Sequence, residues 1–140
     1  MRRLNLIAVY EQDGRRLLMC RRRKEPYKGL LNLVGGKAEA GETDEEAAYR
    51  ELWEETALTK ADIRLMHIME LRYFIEDMSL AVYAGTLKSS TIPHGDENEL
   101  IWVDAGSEFA DCTRFAGDGN LLHILRVCAM HLHEGDEQDG

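Results

Sequence analysis

Three closely spaced glutamates, Glu51, Glu54 and Glu55, are the residues best placed to do chemistry in this 140-residue sequence. Residues three and four positions apart share one face of a helix, so a helical segment would gather the three carboxylates into a single patch. Carboxylates that lie together repel one another unless a positive group lies among them, and a hard cation with oxygen ligands suits that place. We therefore expect this face to bind Mg²⁺, with Mn²⁺ as a substitute.

Two features next to the glutamates suit such a site. Arg50 stays charged and can hold a carboxylate through a bidentate contact, which would orient it. The Gly35-Gly36 pair lets backbone approach a ligand closely, and a glycine carbonyl is a further hard oxygen donor. Lys37 follows directly and is a candidate for a phosphate contact. A Glu-rich helix taken alone is more often an ordinary solvated surface. The spacing of the whole segment is therefore needed to choose between that interpretation and a metal site.

The segment GGKAEAGETDEEAAYRELWEETAL, residues 35–58, resembles the Nudix box of the MutT-type hydrolases. The residues that match that pattern in order and spacing are Gly36, Glu42, Arg50, Glu51, Leu52, Glu54, Glu55 and Leu58. The resemblance implies an α/β/α sandwich around a mixed β-sheet, an architecture that periodicity alone would not predict. We therefore expect an α/β (α+β) protein with one Nudix hydrolase domain over residues 1–140.

One position departs from the family pattern, which usually has Gly where this chain has Ala57. Glycine at the end of a helix readily adopts the left-handed conformation. Alanine there should cost about 1 kcal/mol if the geometry is retained. The departure affects the turn after the helix and none of the expected metal ligands.

The resemblance also implies roles for individual residues. Glu51, Glu54 and Glu55, with the Gly36 carbonyl, would bind one or more divalent cations, and water would attack a phosphorus atom of a nucleoside diphosphate linked to another group. The general base stays open between Glu54 or Glu55 and an acid from a later loop. Glu97 has the matching offset from the tryptophan of the following strand, although it is equally readable as an ordinary surface carboxylate.

Substrate choice in this family depends largely on residues outside the box. Asn32 resembles the asparagine that meets the base in 8-oxo-purine nucleoside triphosphate hydrolases. Phe115 and Asp118 resemble the aromatic and acidic residues before the last helix of those enzymes, where Phe115 would stack on the base and Asp118 would accept from it. Arg23 and Lys37 are candidates for the phosphates. Turn capping, core packing and helix capping are the structural alternatives for Asn32, Phe115 and Asp118.

Three functions are compatible with these residues. The principal hypothesis is hydrolysis of a nucleoside triphosphate to monophosphate and pyrophosphate, with 8-oxo-dGTP or a related oxidised purine nucleotide among the candidates. The second is an ADP-ribose or nucleotide-sugar pyrophosphatase. The third, from another class, is a non-catalytic nucleotide-binding regulator, and the intact acidic cluster counts against it.

Strand-like runs and two helices must position this site. Asp13-Gly14 favours a hairpin turn between the first two runs. Thr43 followed by Glu46 is the pattern of a capping box that starts a helix over residues 44–56, and apolar spacing predicts a closing helix over residues 120–133. Residues 134–140 read as a mobile acidic tail. The predicted strand-like runs are residues 4–11, 16–22, 30–34, 63–76, 78–87 and 100–103.

Composition narrows the partners. A net charge of −9 disfavours binding to a nucleic-acid duplex, although residues 15–28 carry seven Lys or Arg against one acid and offer an edge for phosphate. No apolar run approaches the length of a membrane span, and the first residues lack a secretory pattern. We expect a cytoplasmic monomer or homodimer that binds a small nucleotide, not a membrane. Cys20, Cys112 and Cys128 are widely spaced in apolar surroundings, as buried reduced thiols are.

Overall fold

The computed structural model describes residues 1–139, with side-chain surroundings through His133. These described residues form six strands and two helices. Their order and bounds are β1 (Arg2–Tyr10), β2 (Arg16–Arg21), β3 (Leu31–Leu33), α1 (Asp44–Thr56), β4 (Met66–Tyr73), β5 (Met78–Thr86), β6 (Leu100–Asp104) and α2 (Asn120–Asp139).

The six strands form one mixed sheet. Its order is β3-β2-β1-β5-β4, and β6 also pairs with β2. Strands β1 and β5 run parallel along their whole length, from Arg2 opposite Met78 to Tyr10 opposite Thr86. The other strand pairs are antiparallel. Because parallel neighbours need a long crossover, the chain between β1 and β5 can carry the box helix over one face of the sheet.

Alternation along the strands buries side chains on both faces of the sheet. Ile7 and Val9 of β1 pack in the apolar cluster that includes Leu52 of α1. Ala8 and Tyr10 face the opposite cluster, which includes four buried residues of α2, namely Leu121, Ile124, Leu125 and Cys128. The sheet therefore lies between the two helices, which confirms the predicted α/β/α sandwich.

The segment that follows β3 lies against β1 and fixes the start of the box. The Ile7 amide donates to the Val34 carbonyl at 2.8 Å, and the Asn5 amide donates to the Gly36 carbonyl at 2.8 Å. Only the hairpin end of β1 pairs with β2. The glycine pair is thereby held at the sheet by backbone hydrogen bonds, next to the first strand of the chain.

One predicted strand and the predicted burial of one cysteine need correction. The run 63–76 contains a strand only over Met66–Tyr73, because the Ile63 amide donates to the Thr59 carbonyl and holds the preceding residues in a turn. Cys112 is exposed, whereas Cys20 and Cys128 are buried as predicted. Cys112 lies in the irregular segment before α2, where its immediate sequence neighbours, Asp111 and Thr113, are polar.

The C-terminal part differs from the prediction in one respect. Helix α2 begins at Asn120 as expected and extends to Asp139, so the predicted tail begins within the helix. Gly140 lies outside the described residues, and the mobility of residues 134–140 stays a prediction. Within residues 1–139, neither helix is both long and apolar enough to cross a membrane.

Candidate active site

Both ends of helix α1 are set by local interactions. Thr43 Oγ1 accepts from the Glu46 amide at 3.1 Å, and Glu46 Oε1 accepts from the Thr43 amide at 3.0 Å, which confirms the capping box. At the other end, Ala57 has φ 62° and ψ 10°, and its amide donates to the Trp53 carbonyl at 2.9 Å. The chain keeps the left-handed cap of the box even though the residue there is Ala.

Arg50 joins the acidic residues of the box. Its Nε and Nη2 donate to the two oxygens of Glu42 at 2.7 and 2.9 Å, a bidentate contact. Its Nη1 donates to Glu51 at 3.0 Å and to Glu54 at 3.2 Å. Hydrogen bonds from Arg50 lower the pKa of Glu42 to about 2, and Glu42 raises the pKa of Arg50 in return. Arg50 is thus an orienting group, and Glu42 anchors it to the loop before the helix.

The two glycines before the helix permit close contacts that a side chain would prevent. A Cβ on Gly36 would lie 2.3 Å from the carboxyl carbon of Glu51, and a Cβ on Gly35 would lie 2.2 Å from the Asn5 carbonyl oxygen. The Gly35 amide donates to Glu55 at 2.7 Å. The glycine loop therefore lies directly over two of the box carboxylates.

Glu55 and Glu51 are partly buried next to like charges. Burial is the main cause that raises the pKa of Glu55 to about 7. The negative charges of Glu51, Glu97 and Glu54 raise it further, each by less than burial does. Burial likewise raises the pKa of Glu51, although hydrogen bonding to Arg50 opposes this. A cation among these carboxylates would lower the free-energy cost of ionising each of them.

The donor set fits a divalent cation of the magnesium class. The box supplies carboxylate oxygens from three residues, and the Gly36 carbonyl, which already accepts from Asn5, has a second lone pair. Among residues 1–133, no three His, Cys, Asp or Glu side chains already converge as a metal site. Glu51 and Glu54 each accept from Arg50 through one oxygen, which leaves the other oxygen of each carboxylate for a cation.

A cavity of about 1030 Å³ adjoins the box and is large enough for a nucleotide. Its floor is apolar and includes Leu4, Leu6, Leu80 and Ile124. Its rim carries both signs of charge. The rim residues are Arg22, Arg23, Lys24, Lys37, Glu55, Glu76, Glu97 and Asp118.

Glu97 is brought to the box by the loop between β5 and β6. It lines the same cavity as Glu55, and its charge contributes to the raised pKa of both Glu51 and Glu55. The structure therefore brings this later acid near the box glutamates. Its role in the chemistry stays a prediction.

The residues predicted to select the base have mixed positions. Asn32 lines the cavity, with its Oδ1 accepting from the Leu33 amide at 2.9 Å. Phe115 is only 1% exposed and packs on Phe109 at 5.0 Å between ring centroids, so the prediction that it stacks on a base is wrong. Its ring belongs to the core under α2. Asp118 lines the cavity but accepts from the Tyr27 hydroxyl at 2.6 Å.

Two supporting residues escaped the sequence analysis. The Asn5 side chain accepts from the Gly36 amide at 3.0 Å although Asn5 is only 4% exposed. Arg3 pairs with Asp44 at 2.8 Å and donates to the Glu42 carbonyl at 2.8 Å, which ties the loop to the helix start. The sequence did contain a signal for Asn5, since it is the polar residue within the otherwise apolar run LNLIAVY.

The ADP-ribose pyrophosphatase of Methanocaldococcus jannaschii is 46% identical over 51 residues, which are 36% of this chain and 30% of that protein; the match thus spans under a third of that protein's length. A Caenorhabditis elegans Ap4A hydrolase in a binary complex superposes with a TM-score of 0.77 at 17% identity, covering 96% of this chain and 99% of that chain.

A structure from a study of MutT from Aliivibrio salmonicida and Vibrio cholerae superposes with a TM-score of 0.71 at 21% identity, covering 92% of this chain and 98% of that one. At such identities the two structures establish the fold alone. The NUDIX domain family matches residues 1–114, which contain the whole box and the Glu97 loop. This chain belongs to the Nudix family.

Proposed function

We propose that this protein is a hydrolase that uses a divalent cation, Mg²⁺ in the first place, to cleave a phosphoric anhydride linkage in a nucleotide. The reaction that the cavity supports best is conversion of a nucleoside triphosphate to monophosphate and pyrophosphate. The observation that carries the proposal is that Glu55 and the glycine pair of the box line the same cavity as four cationic side chains. Those cations are Arg22, Arg23, Lys24 and Lys37.

The division of labour follows from the positions of the charges. Glu51, Glu54 and Glu55 would hold the cation, which when bound neutralises phosphate oxygens and lowers the pKa of a coordinated water. Arg50 keeps two of these carboxylates oriented through its hydrogen bonds to Glu51 and Glu54. The basic rim would bind the outer phosphates of the substrate by charge-assisted hydrogen bonds.

A general base must accept the proton of the attacking water. Glu97 is our first candidate, because its side chain is exposed at the cavity and accepts no hydrogen bond from the residues with described side chains. Glu55 already accepts from the Gly35 amide, and Glu54 from Arg50. Those two carboxylates are therefore better suited to ligation than to proton transfer.

The second candidate is ADP-ribose or another nucleotide sugar, favoured by the 46% identity to an ADP-ribose pyrophosphatase over 51 residues. The basic rim favours a nucleoside triphosphate over a nucleotide sugar, because the sugar group carries no outer phosphate that the basic side chains could bind. The argument for an oxidised purine substrate is weaker than the sequence suggested, because Phe115, the residue expected to stack on the base, is in the core. Asn32 remains available at the cavity as a donor and acceptor for a base.

The test is to incubate the purified protein with Mg²⁺ and resolve the products from a panel of 8-oxo-dGTP, dGTP, ATP, ADP-ribose and NADH. Monophosphate with pyrophosphate from a triphosphate supports the proposal. AMP with ribose 5-phosphate supports the second candidate instead. Nucleotide binding without turnover on any member would refute both and leave the non-catalytic regulator.

A matched pair of variants tests the metal assignment. Glu54→Gln removes one expected ligand charge, and turnover should fall by about 100-fold or more while the fold persists. Glu45→Gln changes an exposed glutamate of the same helix that is outside the site and should leave turnover within about twofold. Equal turnover in the two variants would refute the role of Glu54.

A further inference from the structure

We propose that Gly95 is a positioning residue, which fastens the β5–β6 loop (residues 87–99) to the end of α1 and thereby holds Glu97 at the box glutamates. The inference rests on the proposed function, because it assigns how the candidate base of that reaction is held. Gly95 lies outside the box, and its lack of a side chain is the feature that the contact requires.

The contact between the loop and the helix is very close. A Cβ on Gly95 would lie 2.0 Å from the Glu55 carbonyl oxygen and 2.9 Å from the Glu55 carbonyl carbon. Beside it, the His94 amide donates to the Thr56 carbonyl at 2.9 Å. The last carbonyls of a helix have no partner within the helix, so the loop caps the C-terminus of α1 from outside.

This anchor restrains Glu97 on its N-terminal side, while the Arg21 amide, which donates to the Glu99 carbonyl at 3.0 Å, holds the other end of the loop to β2. Two residues span at most about 7 Å of extended chain, so a fixed Gly95 confines the Glu97 backbone to the neighbourhood of the helix end. The carboxylate itself accepts no hydrogen bond from residues 1–133. Its place at the cavity with Glu55 therefore depends on the backbone anchors on either side of it, and the one on the side of α1 is the close contact at Gly95.

Any side chain at position 95 would push the loop away from the helix. Restoring an ordinary contact distance from 2.0 Å needs a movement of about 1 Å or more. A misplacement of that size can reduce a rate by about 100-fold when it affects a reacting group. Glycine at this position is thus explained by the approach of two backbones, one of which carries a box glutamate.

The test is a double-mutant cycle with Gly95→Ala and Glu97→Gln, assayed in Mg²⁺ on the panel member with the highest turnover. Gly95→Ala should lower kcat by about 10- to 100-fold and change KM by less than about threefold. In the Glu97→Gln background it should lower kcat no further. The matched control, Gly106→Ala, adds a methyl group at an exposed glycine away from the helix and should keep kcat within about twofold.

A second readout does not depend on turnover. Hydrogen exchange at the His94 amide should accelerate in Gly95→Ala, because the bond to the Thr56 carbonyl is lost. Should Gly95→Ala fail to fold, His94→Pro removes the same donor without adding a side chain at position 95 and replaces it in the double-mutant cycle.

Three results would overturn the inference: unchanged exchange, a kcat loss that persists in the Glu97→Gln background, or an undiminished kcat in Glu97→Gln itself. An inactive wild-type protein would instead refute the proposed function, and with it the role of Glu97, whatever the exchange data show. The two failures are therefore distinguishable.

Discussion

Ala57→Gly is expected to stabilise the protein, although it removes a methyl group. Ala57 is held at φ 62° and ψ 10°, the left-handed region, by the hydrogen bond from its amide to the Trp53 carbonyl at 2.9 Å. An L-residue with a Cβ is strained there, whereas glycine is not. The methyl group is only half-buried, so its loss removes little packing.

The magnitude follows from two opposing effects. The left-handed conformation costs an L-residue about 1.5 kcal/mol, while glycine loses about 0.7 kcal/mol more backbone entropy on folding. The balance favours glycine by about 0.8 kcal/mol. For a domain of this size, that gain corresponds to a rise in Tm of about 3 °C.

Urea denaturation followed by far-UV circular dichroism measures the effect, and the m-value should stay unchanged while the midpoint rises. The matched control is Ala61→Gly, an exposed alanine four residues later that is not among the residues with positive φ. There glycine should lower the free energy of unfolding by about 0.4–1 kcal/mol. A loss of stability in Ala57→Gly equal to that in Ala61→Gly would refute the argument from backbone strain.

Two further predictions concern Arg50 and the cysteines. Arg50→Lys keeps the charge but loses the fork that holds Glu42, so kcat/KM should fall by about 10- to 100-fold; activity within twofold of wild type would contradict an orienting role. Cys112 should react with a thiol reagent at pH 8 in the native state, because it is exposed. Burial raises the pKa of both Cys20 and Cys128 to about 12, so these two should react only on unfolding, and three fast equivalents in the native state would disprove this.

The start and the end of α1, and the face it presents, were predictable because they depend on neighbours in sequence. A capping box joins residues three positions apart, and the acidic face follows from the helical period. The residues of this kind are Thr43, Glu46, Arg50, Glu51 and Glu54, and the structure places each on α1 or at its start as expected. The left-handed cap at Ala57 is also local, because the Ala57 amide donates to the Trp53 carbonyl only four residues earlier.

Contacts between distant parts of the chain were decided by the tertiary structure. Phe115 is apolar whether it lines a cavity or fills the core, and only the packing of α2 on the sheet places it inside. Asp118 meets Tyr27 across 91 positions. Gly95 has no local signature, since its importance comes from the Glu55 carbonyl that the fold brings beside it.

The sequence by itself thus determined the box, its helix and the cluster of negative charge that favours a cation. Each of these features depends on residues that are only a few positions apart in the chain. The tertiary structure decided which residues share the cavity, and it brings Glu97, the later acid that the sequence had already suggested, to the same cavity as Glu55. The physical reason is that strand register and helix packing, which join residues far apart in the chain, choose among side chains that are equivalent in local pattern.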